Sequence, residues 1–110
     1  MEPLLYTVRD LPSVPLDAAA HFHSNVLPIV RAELPKVSAV VIVFETADHS
    51  HRAWRLAAVQ ALAREAAPTR VNAIVGTDDG AISEAKDFLA MAPGVTGQLL
   101  AVDGKANERG

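Results

Sequence analysis

The feature that most constrains this chain is a pair of apolar, β-branched runs separated by an alanine-rich segment. The runs occupy residues 40–44 and 71–75, and the alanines are concentrated in residues 51–67. Continuous apolar runs are typical of strands buried on both faces of a parallel sheet. Two parallel strands need a long crossover, which an alanine-rich helix can supply. The sequence therefore predicts a βαβ unit over residues 38–75.

The remaining segments add one strand and one helix on either side of this unit. The expected strands lie at residues 4–8 and 97–102, and the expected helices at 16–34 and 81–91. Pro28 removes a backbone donor from the first helix, so we expect a kink or a split near Asn25.

The expected fold is an α/β, Rossmann-like or flavodoxin-like parallel sheet of about four strands in sequential order, in two or three layers. Right-handed crossovers in one direction place successive helices on the same side. We therefore expect the helices mostly on one face and the other face poorly covered. Residues 1–104 are expected to form one domain and residues 105–110 a flexible tail.

Composition narrows the functional classes. The 110 residues carry a net charge of −3 without a basic block, which disfavours nucleic-acid binding through phosphates. The absence of cysteine excludes disulfides and cysteine-based zinc sites. We find neither a signal-peptide pattern nor an apolar run of about 20 residues, the length of a membrane span. A cytoplasmic protein without membrane partners is the expectation.

Four blocks between residues 38 and 104 resemble the C-terminal half of a short-chain dehydrogenase/reductase. They are ALAREAAP at 61–68, RVNAIV at 70–75, FL at 88–89 and TGQLLAVDG at 96–104. A closer resemblance is to the flavodoxin-like N-terminal domain of the long β-ketoacyl-acyl-carrier-protein reductases, itself a degenerate relative. The segment LPIVR and the short connection at residues 46–51 both fit that domain.

The resemblance places unusual residues at the family's catalytic positions. The family's Tyr and Lys fall at Asp48 and Arg52, its serine near Thr46, and its Pro-Gly at Gly76-Thr77. An aspartate is normally ionised near neutral pH and cannot transfer a proton as the Tyr does. The family binds its dinucleotide on a glycine-rich loop, yet no glycine precedes Gly76. We expect the dinucleotide-binding half to be missing, no cofactor, and no reductase activity from this chain alone.

Polar residues follow both central strands, where open α/β sheets bind ligands. These candidate ligand-loop residues are Glu45, Gly76, Thr77, Asp78 and Asp79. Carboxylates there could hold Mg²⁺ or act as acid and base. The favoured interpretation is that the two aspartates cap the following helix, whose N-terminus stabilises negative charge.

The histidines suggest a metal site only weakly. His21 and His23 would point to opposite sides of a helix, and His49 and His51 lie in a loop near Asp48. Solvated surface histidines and no metal are the prediction. Arg52, Arg55 and Arg64 could pair across an interface or bind an anion, but a solvated face is the simpler interpretation.

The helix at 51–67 is apolar around much of its circumference and should be covered on two sides. The two matching helices of the family pair with those of a neighbour, so the resemblance implies a homodimer or a complex with a full-length reductase. The contact would use helices 16–34 and 51–67. The expected interface residues are Trp54, Ala58, Ala61 and Leu62.

The predicted function is that of a structural or regulatory subunit, similar to a short-chain dehydrogenase but without catalytic activity. A ketoreductase is one candidate for the enzyme with which it associates. The alternative is a binder of a small molecule (a nucleotide or an acyl thioester), or a fragment of an NAD(P)-dependent oxidoreductase.

Overall fold

A computed structural model describes residues 3–102, which form one parallel sheet with helices on both faces. The strands are Leu4–Val8 (β1), Ala39–Phe44 (β2), Arg70–Val75 (β3) and Leu99–Ala101 (β4). The helices are Pro15–His21 (α1), Leu27–Glu33 (α2), Arg52–Ala66 (α3) and Asp79–Ala90 (α4). The strand order is β1-β2-β3-β4 and every pairing is parallel, which confirms the predicted fold class. The predicted tail and the domain limit at residue 104 lie outside the described residues.

The central strands are buried on both faces, as their unbroken apolar runs predict. Along β2, the side chains of Val40, Ile42 and Phe44 enter one core, and those of Val41 and Val43 enter another. This alternation follows from the two-residue repeat of a strand. The β-branched residues therefore serve two separate packing layers.

The first crossover is split where Pro28 predicts a break. A π-helical turn, Phe22–Val26, joins α1 to α2, and the backbone N–H of Leu27 donates to the carbonyl of Phe22. Proline has no N–H and its ring crowds the carbonyl four residues earlier, so a regular α-helical turn cannot continue through it. The wider turn keeps both Phe22 and Val26 buried against the sheet.

Helix α3 lies beside α1 and α2 on the same face of the sheet. Its buried residues recur at helical spacing: Arg55, Ala58, Val59, Leu62 and Ala63. Val59 and Leu62 belong to the same core as Phe22 and Phe44, so the two crossovers form one continuous helical layer.

Helix α4 lies on the opposite face, so the expectation that successive helices share one face is wrong for this element. Ala85 and Leu89 pack on Val41, Val43 and Ile74. Each successive strand is added at the same edge of the sheet, so the hand of a crossover depends only on the face that its helix covers. The third crossover therefore has the opposite hand to the first two. The sheet is consequently the middle of three layers.

Two polar side chains of β3 attach the end of α4 and the following loop to this face. Arg70 Nη1 donates to the carbonyls of Leu89, Ala92 and Val95 at 3.0, 3.1 and 3.3 Å. The buried Asn72 donates to the Val95 carbonyl at 3.1 Å. Polar groups on a buried strand face need such partners, and the end of α4 with its following loop provides them.

Candidate functional site

The loops after β2 and β3 meet at the C-terminal edge of the sheet. On the α4 face, a cavity of about 320 Å³ lies beside β1 and β2. Four of the five predicted ligand-loop residues line it: Glu45, Gly76, Thr77 and Asp79. The fifth, Asp78, is outside this lining and caps α4, since its carboxylate accepts the Ala81 backbone N–H at 2.8 Å. The capping interpretation is confirmed for Asp78.

Glu45 joins three segments of this edge. Its carboxylate accepts the Asp10 backbone N–H at 3.4 Å and lies 4.0 Å from Arg9 Nη1. Its backbone carbonyl accepts from Arg55 Nη1 at 3.0 Å. The residue therefore connects the loop after β1 with the loop after β2 and with helix α3.

Asp48, at the position that the resemblance assigns to the family's Tyr, is held as an ionised cap. Its carboxylate accepts the Ser50 backbone N–H at 2.9 Å and also the Ser50 hydroxyl. These two hydrogen bonds, with the hydroxyl as the larger cause, lower the pKa of Asp48 below its usual range. A carboxylate in this state accepts hydrogen bonds but has no proton to give at neutral pH.

The other two positions assigned by the resemblance lie around Asp48. Thr46 and Asp48 line a cavity of about 310 Å³ between the loops after β1 and β2. Arg52 is the first residue of α3, and its side chain is exposed. The structure thus brings Thr46, Asp48 and Arg52 into one loop region around the start of α3.

His51 departs from the prediction that the histidines are solvated. Its side chain is buried, with only 4% exposed. Nε2 lies 2.9 Å from the Ser13 carbonyl, and Nδ1 accepts the Trp54 indole N–H at 3.1 Å. A carbonyl can only accept and an indole N–H can only donate, so both bonds together require the neutral ring with its proton on Nε2.

Arg55 is also buried, which corrects the solvated-face interpretation for this residue. Only 5% of it is exposed, and its guanidinium lies 4.6 Å from the centre of the Phe44 ring. Burial lowers the pKa of Arg55, although an arginine remains charged at any physiological pH. Nε has no hydrogen-bond partner among the described residues. The sequence carried a signal for this burial, because Arg55 begins the helical repeat that continues at Ala58, Val59, Leu62 and Ala63.

The predicted interface residues differ in accessibility. The Trp54 ring is half-buried and lies 5.5 Å from the Phe22 ring and 5.7 Å from the Phe44 ring. Ala58 and Leu62 are buried in the chain's own core, and Ala61 is exposed. The interface itself stays a prediction.

Neither a metal cluster nor a membrane-spanning helix is found in residues 3–102. No three His, Cys, Asp or Glu side chains there come together in a way that could hold a metal ion. His23 Nδ1 lies 2.7 Å from the Ala19 carbonyl, within its own helical segment. Within the same range, every helix is too short or too polar to cross a membrane.

The fold and the loop geometry define a Rossmann-like α/β module with its candidate site at the C-terminal edge of the sheet. The family model described as short chain dehydrogenase-like protein (SDR-like) matches residues 6–102, so the chain belongs to this family. No curated protein and no solved structure gives a significant match. The closer resemblance to the N-terminal domain of the long reductases stays a prediction.

Proposed function

We propose that this chain is a non-catalytic member of the short chain dehydrogenase-like family that acts as a structural or regulatory subunit of a ketoreductase. The observation that carries the proposal is the state of Asp48. Its carboxylate is bound to Ser50 by two hydrogen bonds and has a lowered pKa. A group that must protonate a developing alkoxide needs a proton at the working pH, which this carboxylate lacks.

The loops of this chain also lack the means by which the family holds a dinucleotide. Glycines allow backbone N–H groups to approach a pyrophosphate closely. Within the 110 residues, the first glycine is Gly76. This feature supports a role that does not depend on a bound dinucleotide.

The exposed side of the helical layer suits association with a neighbour. Ala53, Ala57 and Ala61 are exposed at four-residue spacing on α3, which permits close approach of another helix. Two large apolar side chains on the adjoining helices are also exposed, Leu16 at 83% and Ile29 at 49%. We place the partner, a second copy or a full-length reductase, on this side.

Light scattering tests the association. We expect a dimer at micromolar concentration, or a complex when purified β-ketoacyl-acyl-carrier-protein reductase is added. Ala61→Arg should shift either assembly to free chains, because the charge cannot be buried between helices. Glu84→Arg, on the exposed side of α4, is the matched control and should leave the assembly intact. A chain that stays monomeric alone and with the reductase contradicts the proposal.

A turnover assay tests the absence of catalysis. Purified chain with NADPH and acetoacetyl thioester should consume no more NADPH than heat-denatured chain does. Wild-type turnover that disappears in Asp48→Asn would show that Asp48 takes part in a reaction and would overturn the non-catalytic assignment.

One observation favours the alternative of a small-molecule binder. Glu45, from the loop after β2, and Gly76, Thr77 and Asp79, from the loop after β3 and the start of α4, line one cavity. A thermal-shift screen with NADH, NADPH, FMN and acyl-CoA tests this alternative, because a bound ligand raises the melting temperature by mass action. No shift with any of the four compounds would exclude it.

A further inference from the structure

A different cavity lies on the α3 face of the same edge, between the start of α3 and the ends of β3 and β4. Its volume is about 260 Å³. Asp48, Arg52 and Arg55 form its polar side, and Val75, Leu99 and Ala101 form its apolar side. Pockets for drug-sized ligands run from about 300 to 1,000 Å³, so this one suits a smaller molecule. One end of the cavity is charged and the other is apolar.

The charged end contains a buried cation that the chain itself leaves incompletely paired. Arg55 is 95% buried, since only 5% of it is exposed, and the nearby Glu45 carboxylate, which lies outside this lining, stabilises its charge only in part against the cost of burial. Nη1 donates to the Glu45 carbonyl, while Nε has no acceptor in the same range. A buried guanidinium normally meets a carboxylate or phosphate that accepts from its N–H groups. An acceptor supplied by a ligand would complete this arrangement.

The charge balance of the lining selects a monoanion. Arg52 and Arg55 contribute two positive charges, and Asp48 contributes one negative charge that is already engaged by Ser50. His49 also lines the cavity. Glu45 lines the two neighbouring cavities and is not part of this lining. Because the Glu45 charge also acts on Arg55, the net positive charge felt by a ligand is at most about one. This favours a carboxylate over a phosphate dianion, which Asp48 would also repel.

We propose that this cavity binds a small aliphatic monocarboxylate, with its head group on Arg52 and Arg55 and its alkyl chain against Val75, Leu99 and Ala101. This site is distinct from the partner surface on the outer side of the helices. The two proposals can therefore fail independently.

Titration of the single tryptophan tests the proposal. Trp54 lies next to Arg55, whose Cζ is 5.9 Å from the centre of the indole ring. We expect saturable fluorescence changes with butyrate, hexanoate and octanoate, and tighter binding as the chain lengthens until the cavity is filled. Arg52→Gln, at an exposed position, should weaken binding about tenfold or more, because a charge-assisted hydrogen bond is lost.

Three further variants separate the site from a general effect on folding. Asp48→Asn keeps a good capping side chain and removes a negative charge, so it should tighten carboxylate binding. Leu99→Trp should abolish binding by filling the apolar end, and it is measured by calorimetry because it adds a second tryptophan. Arg64→Gln, exposed on the same helix and absent from the lining, should leave affinity unchanged.

Calorimetry with the same ligands provides a readout that does not depend on Trp54. Absence of saturable binding by both methods overturns the proposal. The proposal is also overturned if the affinity does not change with the length of the alkyl chain, or if inorganic phosphate binds as tightly as the carboxylates. Either result would indicate a phosphate site or a non-specific anion effect. If neither Arg52→Gln nor Leu99→Trp changes the affinity, the ligand binds elsewhere and the proposal is overturned.

Discussion

The two faces of the sheet are covered in different ways. On one face, α1, α2 and α3 together enclose an aromatic cluster in which Phe22 lies 5.7 Å from Phe44 and 5.5 Å from Trp54. On the other face, α4 covers Val41, Val43 and Ile74. Beside that helix, Leu5 of β1 remains 40% exposed, next to the 320 Å³ cavity.

The means of attachment also differ between the faces. The α1–α3 layer is held mainly by apolar packing of large side chains. Helix α4 combines a smaller apolar contact with the hydrogen bonds of Arg70 and Asn72 to the end of the helix and the following loop. The first face is therefore held mainly by packing, whereas a single helix attached by polar contacts covers the second face and leaves part of β1 exposed.

The largest expected loss of stability is on the face covered by α1, α2 and α3, called the closed face here. Phe44→Ala removes a fully buried ring that contacts Phe22, Trp54 and Arg55, and we expect a loss of about 3–5 kcal/mol in the free energy of unfolding. Urea unfolding followed by circular dichroism measures it. A loss below about 1 kcal/mol would show that this face is not the main source of stability.

A matched change on the other face should cost less. Leu89 is fully buried under α4, so Leu89→Ala should cost between about 2 and 5 kcal/mol. We expect a value near the lower end, because α4 can shift toward the open side and partly fill the space. Equal losses for Leu89→Ala and Phe44→Ala would remove the proposed difference between the faces.

Much of the fold follows from sequence patterns that act locally. The strand at 4–8 is found at the predicted residues, β3 begins one residue before its apolar run, and Pro28 breaks its helix at the predicted place. The last strand is shorter than predicted, Leu99–Ala101 in place of 97–102. The side of the sheet taken by α4 could not be predicted in this way. The hydrogen bonds of Arg70 and Asn72 to α4 and its following loop are long-range and leave no periodic mark in the sequence.

The site was predictable to a lesser extent. The edge of the sheet and most of the ligand-loop residues follow from strand ends alone, as Glu45 and Gly76 show. Helical spacing would have placed Arg55 on the buried side if its charge had not suggested a solvated position. The buried His51 bonds to Trp54, which is close in sequence, and to Ser13, which is distant in sequence. Only folding brings Ser13 to His51, so this contact could not be predicted from the sequence pattern.

Loss of the polar attachment should affect α4 selectively. Arg70→Gln removes the guanidinium that binds three carbonyls, and we expect a loss of about 1.5–3 kcal/mol, typical of hydrogen bonds to charged groups. Hydrogen exchange should accelerate in α4 and much less in α3. Arg64→Gln, at an exposed position on α3, is the control. Equal acceleration in both helices would contradict a local role for Arg70.

The open part of the second face should tolerate change. Leu5→Thr keeps a good strand former and should cost about 1 kcal/mol or less, since Leu5 is already 40% exposed. Urea unfolding measures the effect, at two protein concentrations. A larger, concentration-dependent loss would mean that a second copy covers this face and that the partner surface has been placed on the wrong side.

The smallest effect is expected on the solvent side of the α1–α3 layer, where Arg31 and Glu65 join α2 to α3. Arg31 Nε and Nη2 each donate to a Glu65 oxygen at 2.8 Å, and these bonds lower the pKa of Glu65 below its usual range. A lowered pKa in the folded state means that the pair stabilises the protein above about pH 4, the ordinary value for glutamate. This contribution is lost as the pH falls through the lowered pKa.

A double-mutant cycle isolates this pair from other acid effects. Glu65→Gln, Arg31→Gln and the double variant should show a small coupling in unfolding free energy at pH 7, because both side chains are half-exposed and solvent screens them. The coupling should shrink with added salt and disappear in acid. A coupling that persists in acid would show that the two side chains interact through packing and not through charge. Packing would then hold α2 and α3 together even at their solvent-exposed side.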